Sequence, residues 1–245
     1  MPPAARRISH STPQSAPSSA SSRELSDLDG RILSSIRHLF LSPGFLTAEH
    51  FRGRRVAWVS PVRLYLVFSV VYFAIVSLSV VSPLNFNFRV TSDTDAETTQ
   101  AVQQLGFSSE EELRRSANVA LVAWIPRAMF LLLPLFGWFV ALARRKSLHR
   151  YPHHLIFSLH LFAAFFGVQA LGVGLGYLSR SDVIAAGLGA VSTLFAPVYM
   201  VLAMRTVYGG TLARSLAHTA LVLTAYWLAS IIVTGAIIAP VLFWR

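Results

Sequence analysis

The sequence predicts an all-α membrane protein with about five transmembrane helices, preceded by an amphipathic helical segment on the cytoplasmic side. Hydrophobic residues make up 54% of its 245 residues and charged residues only 13%, whereas soluble domains carry about 25% charged residues. The hydrophobic residues also stand in long blocks. About 20 consecutive apolar residues are enough for a helix to cross the ~30 Å hydrocarbon core of a bilayer.

The N-terminal region is predicted to have two parts. Residues 1–23 are rich in Ser, Ala and Pro and are expected to form a disordered basic tail. They lack the apolar run of a signal peptide, although an Arg- and Ser-rich, acid-free composition is also typical of mitochondrial transit peptides. Residues 24–58 are predicted to form amphipathic interfacial or cytoplasmic helices. A hydrophobic stripe from Leu25 to Phe40 recurs every three or four residues, and Ser42–Gly44 is expected to end that helix.

Residues 59–245 are predicted to form the transmembrane bundle, with a polar outer loop at residues 82–117. A short helix capped by Ser108 or Ser109 is expected within that loop. The second span could start near Val119 or at Pro126, since proline suits the first turn of a helix. The predicted spans are residues 64–81, 119–143, 154–177, 183–204 and 216–242.

The distribution of basic residues predicts the topology. With the N-terminus inside, five of the 21 Lys and Arg residues fall outside, Arg127 is unassigned, and the remainder are cytoplasmic. The positive-inside rule therefore favours a multi-pass protein with its N-terminus inside and its C-terminus outside. The net charge of +10 predicts anionic inner-leaflet lipids as partners rather than nucleic acid. The five outside residues are Arg89, Arg114, Arg115, Arg180 and Arg245.

Histidines near the start of the third span are candidates for function. Clustered imidazoles can bind metal or relay protons, or they can simply hydrogen-bond to backbone and lipid headgroups. Because an unpaired polar group inside a span is costly, His160 is expected to face the bundle interior. No Asp or Glu lies in a predicted span, which weakens both metal-enzyme and proton-transport interpretations. The cluster comprises His149, His153, His154 and His160, and His218 lies near the start of the fifth span.

Two arginines allow alternative interpretations. Arg127 is either a buried cation that binds an anionic group or, if the span starts at Pro126, an outer-interface residue beside Trp124. Arg63 is either a binding residue or a snorkelling anchor. The possible functional polar cluster is therefore His154, His160, Arg127, Arg63 and His218. The possible lipid-headgroup contacts are Arg52, Arg54, Arg55, Arg144, Arg145 and Lys146.

Several residue types and motifs of catalytic and metal-binding sites are absent from the sequence, and this limits the functions that it predicts. The chain has no cysteine, which removes disulfides and Cys-ligated metal sites. It also has no nucleophile elbow, His-Glu-x-x-His pair or Walker loop. The sequence therefore predicts no catalytic residue, metal site or cofactor and favours a non-enzymatic role in membrane assembly or lipid association. The alternatives are a small transporter or channel and a His-dependent membrane enzyme. A homo-oligomer or a membrane protein partner is possible.

Three short motifs carry a family resemblance. They are Leu41-Ser42-Pro43-Gly44, Gly53-Arg54-Arg55 and Pro61-Val62-Arg63-Leu64-Tyr65. In these motifs the chain resembles the bacterial multi-pass membrane proteins of the domain of unknown function 3667 family. The resemblance covers about residues 25–165 and implies a bacterial inner-membrane location, but it implies no activity.

A second stretch, Tyr151 to Phe162, is also similar to this family. His154, Phe157 and His160 match a family pattern of a Glu-His pair followed by an apolar run and another His. His153 stands where that pattern usually has Glu, so the carboxylate that would support a metal or acid–base site is missing. The chain also lacks the Cys-containing zinc-ribbon-like start of many members.

Overall fold

The computed structural model describes residues 18–78, 102–147, 149–179 and 181–243. Predictions for residues 1–17, for the end of the first predicted span at residues 79–81, for residues 82–101 of the outer loop, and for Arg180 and Arg245 lie outside the described residues. The principal helices are α1 Ser18–Leu41, α2 Phe45–Phe51, α3 Pro61–Leu78, α4 Glu110–Ala143, α5 Tyr151–Ser179, α6 Asp182–Tyr208 and α7 Leu212–Phe243.

Five of these helices are long and apolar enough to cross a membrane. The predicted fold class, an all-α protein with five membrane-capable helices after a preceding helix, is therefore confirmed. A helix suits this setting because it satisfies its own backbone hydrogen bonds where no water is available. The candidate spans are Pro61–Leu78, Ala123–Ala143, Tyr151–Ser179, Val183–Tyr208 and Leu212–Pro240.

Two helices differ from the sequence-based prediction. α1 begins at Ser18, so residues 18–23, which were assigned to the disordered tail, are helical. α4 runs unbroken through Pro126 and Pro134, so the short helix expected in the outer loop and the second span form one helix. Ser109, one of the two expected caps, is the N-cap, and its Oγ accepts a hydrogen bond from the Glu112 N–H at 3.2 Å.

α5 is the central helix of the bundle. It packs against α3, α4 and α6, while α7 packs against α4 and α6. Its first half is almost continuously buried from Phe157 to Ala164. Because α5 is enclosed on several sides, its polar side chains must find partners within the protein.

α1, the turn at Ser42–Gly44 and α2 together form an N-terminal elbow. α2 packs against α5 and α6, and α1 contacts α2 and α5. The elbow lies at the end of the bundle where α3, α5 and α7 begin and where α4 and α6 end, which we call the elbow end. α1 comes so close that a Cβ added to Gly167 of α5 would overlap the Phe40 ring.

Candidate functional site

The turn of the elbow fits closely against α6. Gly44 has a φ of +81°, and an added Cβ there would lie 2.8 Å from the carbonyl oxygen of Ala203. Tyr199 of α6 donates its hydroxyl hydrogen to the carbonyl oxygen of Leu39 at 2.6 Å. That bond satisfies a carbonyl that the end of α1 leaves without a helical partner. The turn is therefore held by backbone contact as well as by side chains.

α2 supplies the hydrogen-bond partner of the histidine inside the third span. Thr47 Oγ1 and His160 Nδ1 lie 2.9 Å apart, and both side chains are buried. His160 thus faces the interior as expected, but its partner comes from the elbow rather than from another span. Leaving one member of a buried pair unsatisfied costs about 1–3 kcal/mol, so this contact also stabilises the docked elbow.

A buried carboxylate joins α2 to the loop that follows it. Glu49 is only 5% exposed, and Arg54 donates through Nε and Nη2 to its two carboxylate oxygens. Arg52 Nη1 donates to Glu49 Oε1 at 3.1 Å. The hydrogen bonds from Arg54 hold the pKa of Glu49 below its ordinary value, although burial opposes them. Arg52 and Arg54, which were expected to contact lipid headgroups, therefore fix the loop after α2 to a carboxylate of that helix.

A second buried histidine pairs with the end of α6. His154 stacks on Tyr208 with ring centroids 5.6 Å apart, and its Nδ1 lies 2.8 Å from the Tyr208 hydroxyl oxygen. Arg144 lies over the same ring at 4.8 Å and donates to the Tyr208 carbonyl oxygen at 2.9 Å. Burial lowers the pKa of Arg144. Arg144, expected to contact lipid headgroups, thus also joins the ends of α4 and α6.

Two further histidines at the elbow end, His149 and His153, contact Phe51. Its ring centroid lies 4.7 Å from that of His149 and 4.8 Å from that of His153. Burial lowers the pKa of His149, and nearby His153 and Arg144 lower it further. Among the described residues, no three His, Cys, Asp or Glu side chains are grouped to hold a metal ion. The imidazoles here act as aromatic packing surfaces between α2 and α5.

The remaining candidate residues lie apart from these contacts. Arg127 is exposed, donates to the carbonyl oxygen of Ala123 at 2.8 Å and lies 5.2 Å from the centre of the Trp124 ring. His218 donates through Nδ1 to the carbonyl oxygen of Arg214 at 2.7 Å. Arg63 is exposed near the start of α3. The structure therefore brings neither arginine nor His218 to the buried histidines.

Sequence analysis missed the partners of the buried histidines. Thr47 and Tyr208, which pair with His160 and His154, were not candidates, because no pattern in the sequence links residues so far apart. Glu49 and Tyr199, which bind Arg54 and the carbonyl oxygen of Leu39, were not candidates either. His160 lies 113 positions from Thr47. A buried position for Thr47 or Glu49 on a short helix also has no sequence signature. The sequence signal that pointed to this region was instead the three short motifs between Leu41 and Tyr65.

Residues 29–73 match the family model described as Protein of unknown function (DUF3667). The match supports the family assignment made from the sequence motifs. The DUF3667 segment runs from α1 through α2 into α3, so it contains Gly44, Thr47, Glu49 and Arg54. No curated protein and no solved structure significantly matches the chain. The family segment thus coincides with the elbow and most of the first span, while His154 and His160 lie beyond it.

Proposed function

We propose that this chain is a non-enzymatic integral membrane protein of the bacterial cytoplasmic membrane, with a role in membrane assembly or lipid association. In this proposal the elbow lies in the cytoplasmic interface and contacts anionic lipid headgroups. The observation that carries the proposal is the two-sided character of α1. One side is attached to the bundle, and the other exposes apolar and basic side chains together.

The attached side of α1 is held by specific contacts. Leu39 and Ser35 are buried, and Ser35 Oγ accepts a hydrogen bond from the Val59 N–H at 3.0 Å. The other side exposes Leu33 by 71% and Leu41 by 72%. Helices that lie in a membrane interface bury apolar side chains at the acyl boundary and direct their Lys and Arg side chains to the headgroups, which a long Arg side chain can reach by snorkelling. Exposed Leu33 and Leu41 therefore suit acyl-chain contact better than contact with water.

The basic residues at the elbow end suit the same position. Anionic lipids attract each Lys or Arg near the cytoplasmic surface by about 1 kcal/mol. In the described part of the chain, the ion pairs at this end are those of Glu49 with Arg52 and Arg54. The remaining charges supply a net positive surface, which also supports a cytoplasmic orientation. The exposed basic residues are Arg31, Arg37, Arg52, Arg54, Arg55, Arg63, Arg145, Lys146, Arg150, Arg205 and Arg214.

The depth of α1 in a bilayer tests the proposal. The chain has no native cysteine, so a single Leu33→Cys substitution can carry an environment-sensitive fluorophore. We expect strong quenching by brominated acyl chains in vesicles of phosphatidylethanolamine with 30 mol% phosphatidylglycerol. Arg31→Cys is a matched control, because residues two apart on a helix project about 200° apart. Its label should be quenched much less.

Two results would contradict the proposal. Equal, weak quenching at both positions would place α1 in water. The label at Leu33→Cys could instead become inaccessible when the protein self-associates and show no quenching by lipid. That result would indicate that this surface contacts a second copy or another membrane protein.

A further inference from the structure

An apolar groove runs between α6 and α7. It has a volume of about 520 Å³, and several of its lining side chains are exposed at the bundle surface. Because both helices are candidate spans, the groove faces the region that lipid occupies. Its lining includes Val198, Val201, Leu202, Leu216, Ala220 and Leu223.

The length of the groove fits one leaflet of a bilayer. Along α7 its lining extends from Leu212 to Leu223, which is ~16 Å at the helical rise of 1.5 Å per residue. Half of a ~30 Å hydrocarbon core is about 15 Å. The groove therefore has the span of an acyl chain that starts at the elbow end and ends near the bilayer centre.

A polar cavity continues the groove at the elbow end. It has a volume of about 410 Å³ and is lined by Pro43, Leu202, Arg205, Thr206 and Gly210. Leu202 lines both the groove and the cavity. A molecule with an apolar chain and a polar head could therefore contact both spaces on either side of Leu202.

Basic residues lie at this cavity. Arg205 lines it directly. Arg214 folds back towards Gly210, since a Cβ added to that glycine would lie 3.9 Å from Arg214 Nη1. The ion pairs found within the described ranges all involve Glu49, so none neutralises Arg205 or Arg214. Guanidinium groups bind phosphate oxygens in a two-pronged geometry, so an anionic headgroup complements the cavity.

We propose that the groove and the cavity together form a site for one anionic glycerophospholipid. An acyl chain lies between α6 and α7, and the phosphate contacts Arg205 with Arg214 beside it. The site shares a lipid partner with the proposed function and deepens it, but it is separate from the exposed side of α1.

Binding of defined lipids to the purified full-length protein tests this site. Native mass spectrometry would count adducts during titration with dioleoyl-phosphatidylglycerol or dioleoyl-phosphatidylcholine. We expect the first phosphatidylglycerol adduct to bind about tenfold more tightly, and Arg205→Gln to weaken it about fivefold. Arg205→Lys should keep most of the preference. Arg115→Gln is the matched control, because that exposed arginine lies near the start of α4, far along the helix from the elbow end, and it should change binding less than twofold.

A second variant tests the apolar groove separately from the basic cavity. Ala220→Phe fills the apolar lining and should weaken the binding of both lipids, while glycerol 3-phosphate should not compete because it lacks an acyl chain.

Equal affinity for the two lipids, or no effect of Arg205→Gln on binding, would overturn the proposal. Competition by glycerol 3-phosphate at equal concentration would show that the site binds the phosphate group without recognising an acyl chain. Loss of dimers in Ala220→Phe, with lipid binding unchanged, would assign the groove to a second copy. Failure here would leave the quenching of the Leu33→Cys label unaffected, so the two proposals can fail separately.

Discussion

At the scale of single residues, Gly44 combines, among the described glycines, a positive φ with a backbone neighbour that leaves no space for a side chain. Its φ of +81° lies in the left-handed region, and the space for a Cβ is occupied by the Ala203 backbone. A non-glycine residue in this conformation costs roughly 1–2 kcal/mol, and displacing α6 adds to that cost. We expect Gly44→Ala to lower the thermal unfolding temperature of the detergent-purified protein clearly.

Gly53 provides the control for that prediction. It has the same φ of +81°, but nothing lies within 4 Å of an added Cβ. Gly53→Ala therefore carries the backbone cost without the clash and should lower the unfolding temperature less than Gly44→Ala. Equal shifts for the two variants would show that the contact between the turn and α6 contributes nothing.

At the scale of elements, the junction between the elbow and the bundle should weaken in acid. Burial lowers the pKa values of His50 and His149 from 6.5 in the folded protein. Between those values and 6.5 the unfolded chain binds more protons, so stability falls as the pH falls. The pKa of Glu49 is also lowered, from 4.5, chiefly by its hydrogen bonds with Arg54. Its stabilising contribution is present above pH 4.5 and is lost as the pH falls through the folded value.

Unfolding temperatures measured from pH 8 to pH 4 would check this prediction. We expect a decline that starts below about pH 7 and continues through pH 4.5. His149→Phe keeps a ring against Phe51 and should flatten the first part of the decline. Glu49→Gln should lower stability at pH 7 and flatten the last part. A wild-type profile that rises on acidification would contradict the assignment of both groups.

At the scale of the whole molecule, we expect α4 to carry the chain from one side of the membrane to the other. Its candidate span is Ala123–Ala143, with Ser108 before it and Ser147 after it. Since the chain lacks cysteine, single Ser108→Cys and Ser147→Cys variants can be labelled with a membrane-impermeant maleimide. We expect labelling from opposite sides, with residue 147 reached from the cytoplasm. Labelling from one side only would overturn the topology of the first spans.

The same whole-molecule arrangement explains why the candidate site could be predicted only in part. His160 was expected to face inward because a polar side chain in a span needs a partner. Thr47 could not be identified as that partner, because it lies on a seven-residue helix whose position depends on the turn at Gly44. Arg144 and Arg54 were expected to contact lipid because both flank apolar segments. Their roles at Tyr208 and Glu49 arise from helix ends that meet only in the folded bundle.

By itself, the sequence determined the fold class and the number of membrane-capable helices. Both follow from composition and from the length of apolar runs, which act locally and need no knowledge of neighbours. The start of α1 and the continuity of α4 were missed, because proline and polar residues mark helix ends only on average. Only the folded bundle shows where the elbow lies, which polar groups pair within it and which basic residue lines the cavity beside the groove between α6 and α7. The physical reason is that packing brings together side chains from different helices, and periodicity within one helix says nothing about the residues opposite.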